Sequence, residues 1–471
     1  MKRKYISTIA AALRECGLKD GMTLSFHHHL RNGDHVVNMT MDAVAALGVK
    51  DITVACSSLF PVHEHLIEHI KTGVITGLDT DYMSGPLAKA VTGGILPTPV
   101  IFRSHGGRPR AIGEGSLKID IAVVAAPAVD AMGNITGTEG PSACGSLGYI
   151  IPDTQHAAKV IAVTDHVVEG GLARISIPHD VVDHVVVVDK IGDPAGIVSG
   201  SISLTRDPVA LAIARNAQAV IKASGLLQDG FCYQTGAGGA SLAASLFLRE
   251  DMRAMKVHGG FLLGGITKYM VEMLEEGLFD NVFDVQCFDL SSVKSIAQNP
   301  RHVEISADTY ANPNRKSNCV DFLDAVLLGG TEIDLDFNVN VTTDSNGNII
   351  GGSGGHNDAA AGAKLTIIVA PLVRARLPIV VEKCTTLTTI GSTVDVLVTE
   401  RGIAVNPARK ELADRLRDAR LPVCGIEDLH DQAVRMTGKP LAYERGDKVV
   451  GTMEYRDGTI VDHIYATKQR T

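Results

Sequence analysis

The chain has 471 residues, of which 45% are hydrophobic and 21% are charged, and its formal net charge at pH 7 is −9. The length predicts two or three domains, the acidic balance argues against a nucleic-acid partner, and the longest apolar runs are too short to span a bilayer. The eight cysteines are scattered without a Cys-x-x-Cys pair, which is typical of reduced thiols in a cytoplasmic enzyme.

Strand-like runs alternate with helix-like segments along the first half of the chain. The apolar runs lie at 22–26, 51–55, 121–125, 160–164 and 185–188, and amphipathic stretches such as 36–46 and 63–70 separate them. This alternation predicts an α/β architecture with a largely parallel sheet. A helix over Pro208–Ser224 is expected to open the second half, because Thr205-Arg-Asp-Pro offers a cap candidate and a proline near the first turn.

The second half repeats motifs of the first half in the same order, at offsets of 205 to 214 residues. The matching pairs are Leu18–Gly21 with Leu227–Gly230, Asp130–Ile135 with Asp344–Ile349, and Ala158–Val163 with Ala363–Ile368. The repeat predicts two tandem copies of one α/β domain, residues 1–205 and 206–471, joined near residues 195–207. Ligands of open α/β sheets bind beyond the carboxyl ends of the strands, so a site in the cleft between the copies is expected.

A histidine-rich loop, Phe26–Asp34, follows the first buried strand. His28, His29 and Arg31 are candidates for binding a polycarboxylate, with Arg31 making a bidentate contact. A metal site is the rival interpretation, but adjacent histidines cannot all face one ion, and no Cys or His partner lies at ligand spacing. A purely structural loop remains open.

Two further loops offer polar groups. Ser104, His105 and Arg108 lie in a basic, glycine-spaced loop that would be a solvated surface feature if it stood alone. The turn Gln234–Gly239 follows a strand and opens a helix, whose N–H groups can hold a phosphate or an oxyanion. Ser241 stands where the dinucleotide fingerprint requires its third glycine, so the turn does not match that fingerprint. A tight packing turn remains the alternative to a binding site.

The most glycine-rich stretch is Gly347–Asp358, which contains Gly352, Ser353, Gly354, Gly355, His356 and Asn357. A packed element does not favour so many glycines, because glycine loses the most backbone entropy on folding. Its first third repeats the turn at Gly133, so the chemistry is expected in residues 352–358, although a flexible connection is the simpler reading. Glu400 ends another strand and is either a helix cap or a carboxylate of the site.

Six ordered segments resemble those of the CoA-transferase superfamily, and within it the alpha subunits of citrate lyase. They are Phe26–Asp34, Ser104–Arg108, Cys144–Tyr149, Gln234–Ala243, Ser353–His356 and Gly402–Pro407, and together they extend over nearly the whole chain. The resemblance implies an α/β fold of two tandem open domains of the CoA-transferase (NagB/RpiA-like) type, in agreement with the repeat.

Many members of the superfamily carry a glutamate that forms a covalent glutamyl thioester. The stretch that holds it aligns here with Gly259–Gly265, which puts Gly260 at the position of the glutamate. The resemblance therefore implies transfer without an acyl-enzyme. The implied reaction, part of citrate fermentation, converts an acetyl thioester and citrate into a citryl thioester and acetate through a mixed anhydride.

The resemblance also implies roles and partners. Catalytic roles fall on His356, Gly354, Gly355, Asn357 and Glu400; substrate binding on His28, His29, Arg31, Ser104, His105 and Arg108; and binding of the thioester arm on Gln234, Gly236, Gly238, Gly239, Gly260, Gly352 and Ser353. No metal or resident cofactor is expected, since the CoA-type thioester is a substrate, either a dephospho-CoA-derived group on an acyl carrier protein or acetyl-CoA. The implied partners are the citrate lyase beta (citryl lyase) and gamma (acyl carrier protein) subunits, in a cytoplasmic homo-oligomer.

Other functions remain open from the sequence. A citramalate CoA-transferase, or another acyl-CoA transferase or hydrolase of the same fold, would share most of these motifs. A non-catalytic ligand sensor is the alternative from a different class. A DNA-binding extension would support it, and none is visible in the sequence.

Overall fold

Two large, mostly parallel sheets organise the protein. The computed structural model describes residues 4–198, 205–236, 238–439 and 444–467. Central strands such as residues 121–126 are buried along their whole length, because helices cover both faces of a parallel sheet. Among the described residues, no helix combines the length and the apolarity that crossing a membrane requires.

The first sheet is built mainly from the N-terminal half. The strands of this half are β1 (Tyr5–Ile6), β2 (Thr23–Phe26), β3 (Ile52–Cys56), β4 (Ile75–Thr80), β5 (Val100–Phe102), β6 (Ile121–Ala126), β7 (Ala128–Asp130), β8 (Ile135–Thr136), β9 (Lys159–Thr164), β10 (Val167–Val168) and β11 (His184–Val187). The helices are α1 (Ile9–Glu15), α2 (Val36–Ala46), α3 (Leu66–Lys71), α4 (Gly85–Thr92), α5 (Gly107–Glu114) and α6 (Ile151–His156). The order β1-β11-β9-β6-β2-β3-β4-β5 is parallel throughout.

The second sheet follows the same plan. The strands of this half are β12 (Phe231–Thr235), β13 (Gly259–Ile266), β14 (Phe279–Cys287), β15 (His302–Glu304), β16 (Ala325–Gly329), β17 (Glu332–Asp334), β18 (Val339–Asn340), β19 (Thr366–Val369), β20 (Val373–Arg374), β21 (Leu377–Pro378), β22 (Val380–Val381), β23 (Val396–Val398), β24 (Ile403–Val405) and β25 (Val423–Cys424). The helices are α7 (Pro208–Ser224), α8 (Gly239–Met255), α9 (Lys268–Glu275), α10 (Leu290–Gln298), α11 (Ala307–Ala311), α12 (His356–Gly362), α13 (Lys410–Asp418) and α14 (Ile426–Thr437). In the order β15-β14-β13-β12-β16-β19-β23-β24-β25, the pair β23–β24 is antiparallel and the other pairs are parallel.

The last two strands depart from the predicted division at residue 205. Strands β26 (Arg445–Glu454) and β27 (Ile460–Thr467) form a hairpin, and β26 pairs in parallel with β5 of the first sheet. Residues 445–467 thus belong structurally to the N-terminal half, because they cover an edge strand that would otherwise expose unpaired N–H and C=O groups. Residues 199–204 of the predicted junction lie outside the described residues.

Local signals in the sequence account for several elements. Helix α7 has the predicted limits: the Asp207 carboxylate accepts from the N–H groups of Val209 and Ala210, and Gly225 ends the helix in a left-handed conformation. The repeated turns also share one geometry. The Asn134 amide donates to Asp130 (2.7 Å), the Asn348 amide donates to Asp344 (3.0 Å), and the glycine of each turn has a positive φ.

The stretch Gly351–Asp358, here named the 351–358 loop, joins the two halves. Gly354 forms a parallel bridge with Ser104: its N–H donates to the Asp81 carbonyl (3.0 Å) and its carbonyl accepts from the His105 N–H (2.8 Å). The Asp358 carboxylate, which is fully buried, accepts from the Ser104 hydroxyl (2.9 Å) and the Gly106 N–H (2.8 Å). The loop of the second half is therefore anchored on the first sheet.

Two glycines near the two ends of α5 test this anchoring. A Cβ at Gly106 would overlap the Ala311 carbonyl oxygen and lie 2.6 Å from Oδ1 of Asp358, whereas a Cβ at Gly113 would meet nothing within 4 Å. We expect Gly106→Ala to destabilise the protein by about 1–3 kcal/mol through overpacking. Gly113→Ala should stabilise it by about 0.5–1 kcal/mol, because alanine is the better helix former. Urea denaturation measures both changes, and equal effects at the two positions would contradict the described interface.

Candidate functional site

Four aromatic residues, Phe60, Tyr82, Tyr149 and Phe288, cluster beyond the carboxyl ends of the strands, and the region that they line is here named the aromatic cleft. Phe60 follows β3, Tyr82 follows β4 and Phe288 follows β14 of the second sheet. The Phe60 and Tyr82 rings are 5.5 Å apart between centroids. This is the edge where an open α/β sheet binds ligands, so the strand order brings these separated residues to the expected place.

Arg31 places a positive charge in this cleft. Its guanidinium carbon lies 5.2 Å from the Phe60 ring centroid and 4.8 Å from that of Phe288, within the range of cation–π attraction. Burial lowers the pKa of Arg31, yet an arginine remains charged, and no carboxylate of the described residues pairs with it. A largely buried cation without a counter-ion favours an anionic ligand.

His105 presents an imidazole to the same space. Its Nδ1 lies 2.8 Å from Oδ2 of Asp81, and its ring lies 4.1 Å from the Tyr149 ring between centroids. A Cβ on Gly354 would be 3.4 Å from Nε2 of His105, so this nitrogen faces the 351–358 loop. Burial lowers the pKa of His105 to about 4 and raises the pKa of Asp81 well above its usual range. The imidazole is therefore neutral near pH 7.

His28 and His29 do not have free nitrogens for a substrate. The Nδ1 of His28 lies 2.6 Å from the Ser57 hydroxyl, and its Nε2 lies 2.9 Å from Oε1 of Gln286 in the second half. His29 is fully buried, with Nδ1 2.7 Å from His27 and Nε2 3.3 Å from the Val285 carbonyl. These side chains join the two halves beneath the cleft, and their predicted contacts with substrate carboxylates stay predictions that these protein partners do not favour.

Ser104 and Arg108 are likewise internal. Ser104 is fully buried, and its hydroxyl bonds to Asp358 while it accepts the Gly107 N–H. Arg108 is 1% exposed, and its guanidinium donates to Asp153 (2.6 Å) and to the Ala55 carbonyl (3.0 Å). Nη1 of Arg108 has no hydrogen-bond partner among the described residues. The predicted contacts of Ser104 and Arg108 with substrate stay predictions, although both side chains are buried and bonded to the protein.

The backbone of the 351–358 loop approaches the first sheet too closely for side chains. A Cβ on Gly352 would overlap the Asp81 carbonyl oxygen, and a Cβ on Gly355 would overlap the Tyr310 hydroxyl. Gly354 has a positive φ of 51°, and its N–H donates to Asp81. The Gly354 N–H therefore holds the loop in place, and the predicted catalytic role of Gly354 stays a prediction that this contact does not favour.

The side chains of the same loop differ in their availability. The Nε2 of His356 donates to the Gly329 carbonyl (2.8 Å), its Nδ1 lies 2.7 Å from the Thr389 hydroxyl, and burial lowers its pKa to about 4. Both ring nitrogens of His356 thus have protein partners, and its predicted catalytic role stays a prediction that these contacts do not favour. In contrast, the buried Ser353 Oγ and Asn357 Oδ1 have no hydrogen-bond partner among the described residues, which leaves both open to a polar ligand.

The Gly236–Gly239 turn lies on a separate cavity of about 380 Å³. Gly236, Gly238 and Gly239 line this cavity, and Arg374 lies at its edge. The Gly236 N–H donates to the Leu327 carbonyl, so among the described residues of the turn the free donors are those at the start of α8. The His356 ring donates to the carbonyl of Gly329, which also lines this cavity, and thereby connects the cavity to the 351–358 loop.

Three other predicted site residues have protein partners or lie at a distance. Gln234 donates from Nε2 to the Tyr310 hydroxyl (2.9 Å), behind the loop. Glu400 accepts from the Leu372 N–H (3.0 Å) at the end of β23. Gly260 is at the amino end of β13, beside Gly230, whereas the site lies at the carboxyl ends of the strands. This position does not favour the predicted contact of Gly260 with the thioester arm, which stays a prediction.

Sequence reasoning missed several residues of the cleft, chiefly Asp81, Phe60, Tyr149, Gln286 and Phe288. Each of Asp81, Phe60 and Phe288 follows the last residue of a strand by one to four positions. Parallel strands end at one edge, so a systematic inspection of every strand end would have found these three. Tyr149 is in a loop, and no periodicity marks it.

Comparisons of this sequence with known proteins all point to one family. A family model described as the alpha subunit of citrate lyase matches residues 2–467. The citrate lyase alpha chains of Klebsiella pneumoniae and Escherichia coli are 48% and 47% identical to this chain over 467 residues, which is 99% of this chain and 92% of each relative.

Solved structures support the same assignment. A Streptococcus mutans protein described as the alpha subunit of citrate lyase, in complex with citrate, superposes with a TM-score of 0.98 at 46% identity, covering 99% of this chain and 92% of that one. The malonate decarboxylase alpha subunit of Acinetobacter baumannii shares the fold alone, with a TM-score of 0.67 at 17% identity over 93% of each chain. The predicted CoA-transferase-like α/β fold is confirmed, and the chain belongs to the family of citrate lyase alpha subunits.

Proposed function

We propose that this chain exchanges the acid of a thioester: an acetyl thioester and citrate become a citryl thioester and acetate. Membership of the citrate lyase alpha family supports a transferase of this kind. The Streptococcus mutans relative, 46% identical, is described in complex with citrate. The observation that carries the proposal is the charge of Arg31, which lies in the aromatic cleft without a carboxylate partner among the residues that the structure describes.

Arg31 suits a carboxylate substrate for geometric as well as electrostatic reasons. A guanidinium binds a carboxylate through two parallel hydrogen bonds. The guanidinium of Arg31 lies over the rings of Phe60 and Phe288, and these contacts hold it in place. Citrate carries three carboxylates, so one can bind Arg31 while another reacts. The unpartnered Ser353 Oγ and Asn357 Oδ1 offer further hydrogen bonds to the substrate.

His105 would contact the substrate through Nε2, with Asp81 as its positioning residue. The Asp81 carboxyl group fixes the ring at Nδ1, and the Tyr149 ring packs against it. Because its pKa is about 4, His105 acts as a neutral hydrogen-bonding group and not as a second cation. The cleft would then bind one carboxylate by charge and a neighbouring group by a neutral hydrogen bond.

The reaction needs two acyl substitutions and no ATP. A citrate carboxylate oxygen attacks the acetyl thioester carbonyl, a C–O bond forms, and the C–S bond breaks to give a mixed anhydride and a thiolate. The thiolate then attacks the citryl carbonyl, and acetate leaves with the bridging oxygen. The protein contributes orientation and stabilises the oxyanion, each of which can account for several kcal/mol of the barrier.

The distribution of acidic side chains supports a non-covalent route. The segment 257–266, which includes all of β13, contains no Asp or Glu. Two buried acidic side chains next to the cleft have protein partners: Asp81 through Oδ2 with His105, and Asp358 with Ser104 and Gly106. A carboxylate held in this way is poorly placed to attack a thioester.

The thioester arm would come from an acyl carrier protein, the gamma subunit of citrate lyase, and the carbon–carbon cleavage would fall to the beta subunit. The arm's phosphate fits the cavity of the Gly236–Gly239 turn, where the start of α8 and Arg374 favour negative charge. The assembly would be cytoplasmic and homo-oligomeric. The chain would need no resident cofactor.

A direct assay tests the reaction. The purified chain, mixed with acetyl-CoA and citrate, should release acetate, and it should do so faster with citrate than with citramalate. Borohydride treatment in the presence of acetyl-CoA should leave the activity intact, because no glutamyl thioester forms. Absence of citrate-dependent acetate release would overturn the proposed function, whereas inactivation by borohydride that depends on acetyl-CoA would overturn only the non-covalent route.

Arg31→Gln tests the carboxylate contact. Loss of a charge-assisted hydrogen bond should raise the KM for citrate about 10- to 100-fold and leave the KM for acetyl-CoA nearly unchanged. Arg31→Lys should rescue only part of this loss, since a lysine cannot make the bidentate contact. Arg253→Gln, which removes an exposed arginine paired with Glu276, is the matched control. A citrate KM within twofold of the parent would rule out this role.

The pH dependence of His105→Gln tests its neutral state. With a pKa of about 4, the ring is deprotonated from about pH 5.5 upwards and becomes cationic only below its pKa. The substitution should therefore lower kcat/KM for citrate about 10-fold, by the same factor at about pH 6 and about pH 8. Steady-state kinetics measures the two ratios. A markedly larger loss at the lower pH would mean that the imidazolium is the working form.

A further inference from the structure

Two histidines and an aspartate converge on the outer surface of the first half, away from the cleft. His65 immediately precedes α3, and His69 lies within α3 four residues later. Asp42 lies on the neighbouring α2. The Nε2 atoms of His65 and His69 lie 2.8 and 2.9 Å from the same oxygen, Oδ1 of Asp42. We name this group the α2–α3 cluster.

The cluster has the composition and geometry of a transition-metal site. Side chains four residues apart lie on the same face of a helix, and the two imidazole rings are 5.0 Å apart between centroids. One potential ligand atom from each residue lies within 4.8 Å of the others. Ligands at about 2.1 Å in a tetrahedral Zn²⁺ site lie roughly 3.4 Å from each other, so an opening of about half an ångström would admit the ion.

Access to the cluster is open. The side chains of His65 and Asp42 are 52% and 55% exposed, so an ion can enter from solvent and keep water in its remaining coordination position. The group Asp284, Cys287 and His302 is different: it is fully buried, and the second ring nitrogen of its histidine bonds to Ser295 (2.9 Å). That group is a hydrogen-bonded network in the core without access from solvent.

We propose that Asp42, His65 and His69 bind a divalent transition-metal ion such as Zn²⁺ or Ni²⁺. Imidazole ligands favour these ions over Mg²⁺, which prefers oxygen ligands alone. The site is independent of the proposed transferase reaction. Its bound ion links α2, which follows the Arg31 turn, to α3, which follows Phe60, and so ties together two segments that line the cleft.

Metal binding to the purified, tag-free chain tests the proposal. After treatment with EDTA and dialysis, calorimetric titration with NiCl₂ and with ZnCl₂ should each show a site with a Kd on the order of micromolar, and saturating Ni²⁺ should raise the melting temperature by ligand linkage. MgCl₂ at the same concentration should produce neither effect.

Two substitutions and a control make the test specific to the cluster. His65→Ala and His69→Ala should each weaken Ni²⁺ binding at least 10-fold and abolish most of the thermal shift. His258→Ala removes another exposed histidine that pairs with a single aspartate, Asp280 (2.7 Å), and should leave binding unchanged. Since His65 is half exposed, its variant should fold like the parent in the absence of metal. The proposal is overturned if the parent does not bind Ni²⁺, or if its binding survives both cluster substitutions.

Discussion

The contact between the 351–358 loop and the first sheet is the constraint on which the cleft depends. The same two backbone hydrogen bonds of Gly354 that anchor the loop also fix the main chains of Asp81 and His105. A side chain at Gly352 would overlap the Asp81 carbonyl, so the loop reaches this position only as bare backbone. The buried carboxylate of Asp358 closes the contact from the other end. Loop, imidazole and carboxyl group therefore form one unit, and movement of any of them would displace the others.

Charge pairing distinguishes the other arginines near the cleft from Arg31. Arg103 bonds to Asp79 (2.9 Å) and to Glu454, and Arg108 bonds to Asp153 (2.6 Å). These pairs satisfy buried cations within the protein, as buried charges require. Arg31 is the exception in this part of the described chain, because aromatic rings and not carboxylates surround it. The surrounding histidines stay neutral, so the cleft concentrates its positive charge at a single point.

Local signals in the sequence predicted elements of the fold well, and predicted the site only in part. The cap and stop of α7, and the Asp–Gly turns of the repeat, depend on residues within a few positions of each other. The role of His28 could not be read in this way, because its partner Gln286 is 258 residues away. A histidine at a strand end can face the ligand or the neighbouring half, and sequence does not distinguish these orientations. The same reason applies to His356, whose two partners come from separate strand ends and loops.

The C-terminal hairpin has a consequence for how the protein forms. Strand β5 is complete at residue 102, but its partner β26 begins at residue 445. During synthesis, the outer edge of β5 therefore stays unpaired while more than three hundred further residues leave the ribosome. An open parallel edge is a template for pairing with other chains. The nascent chain is thus most vulnerable to aggregation in this interval, which ends when β26 emerges and pairs with β5.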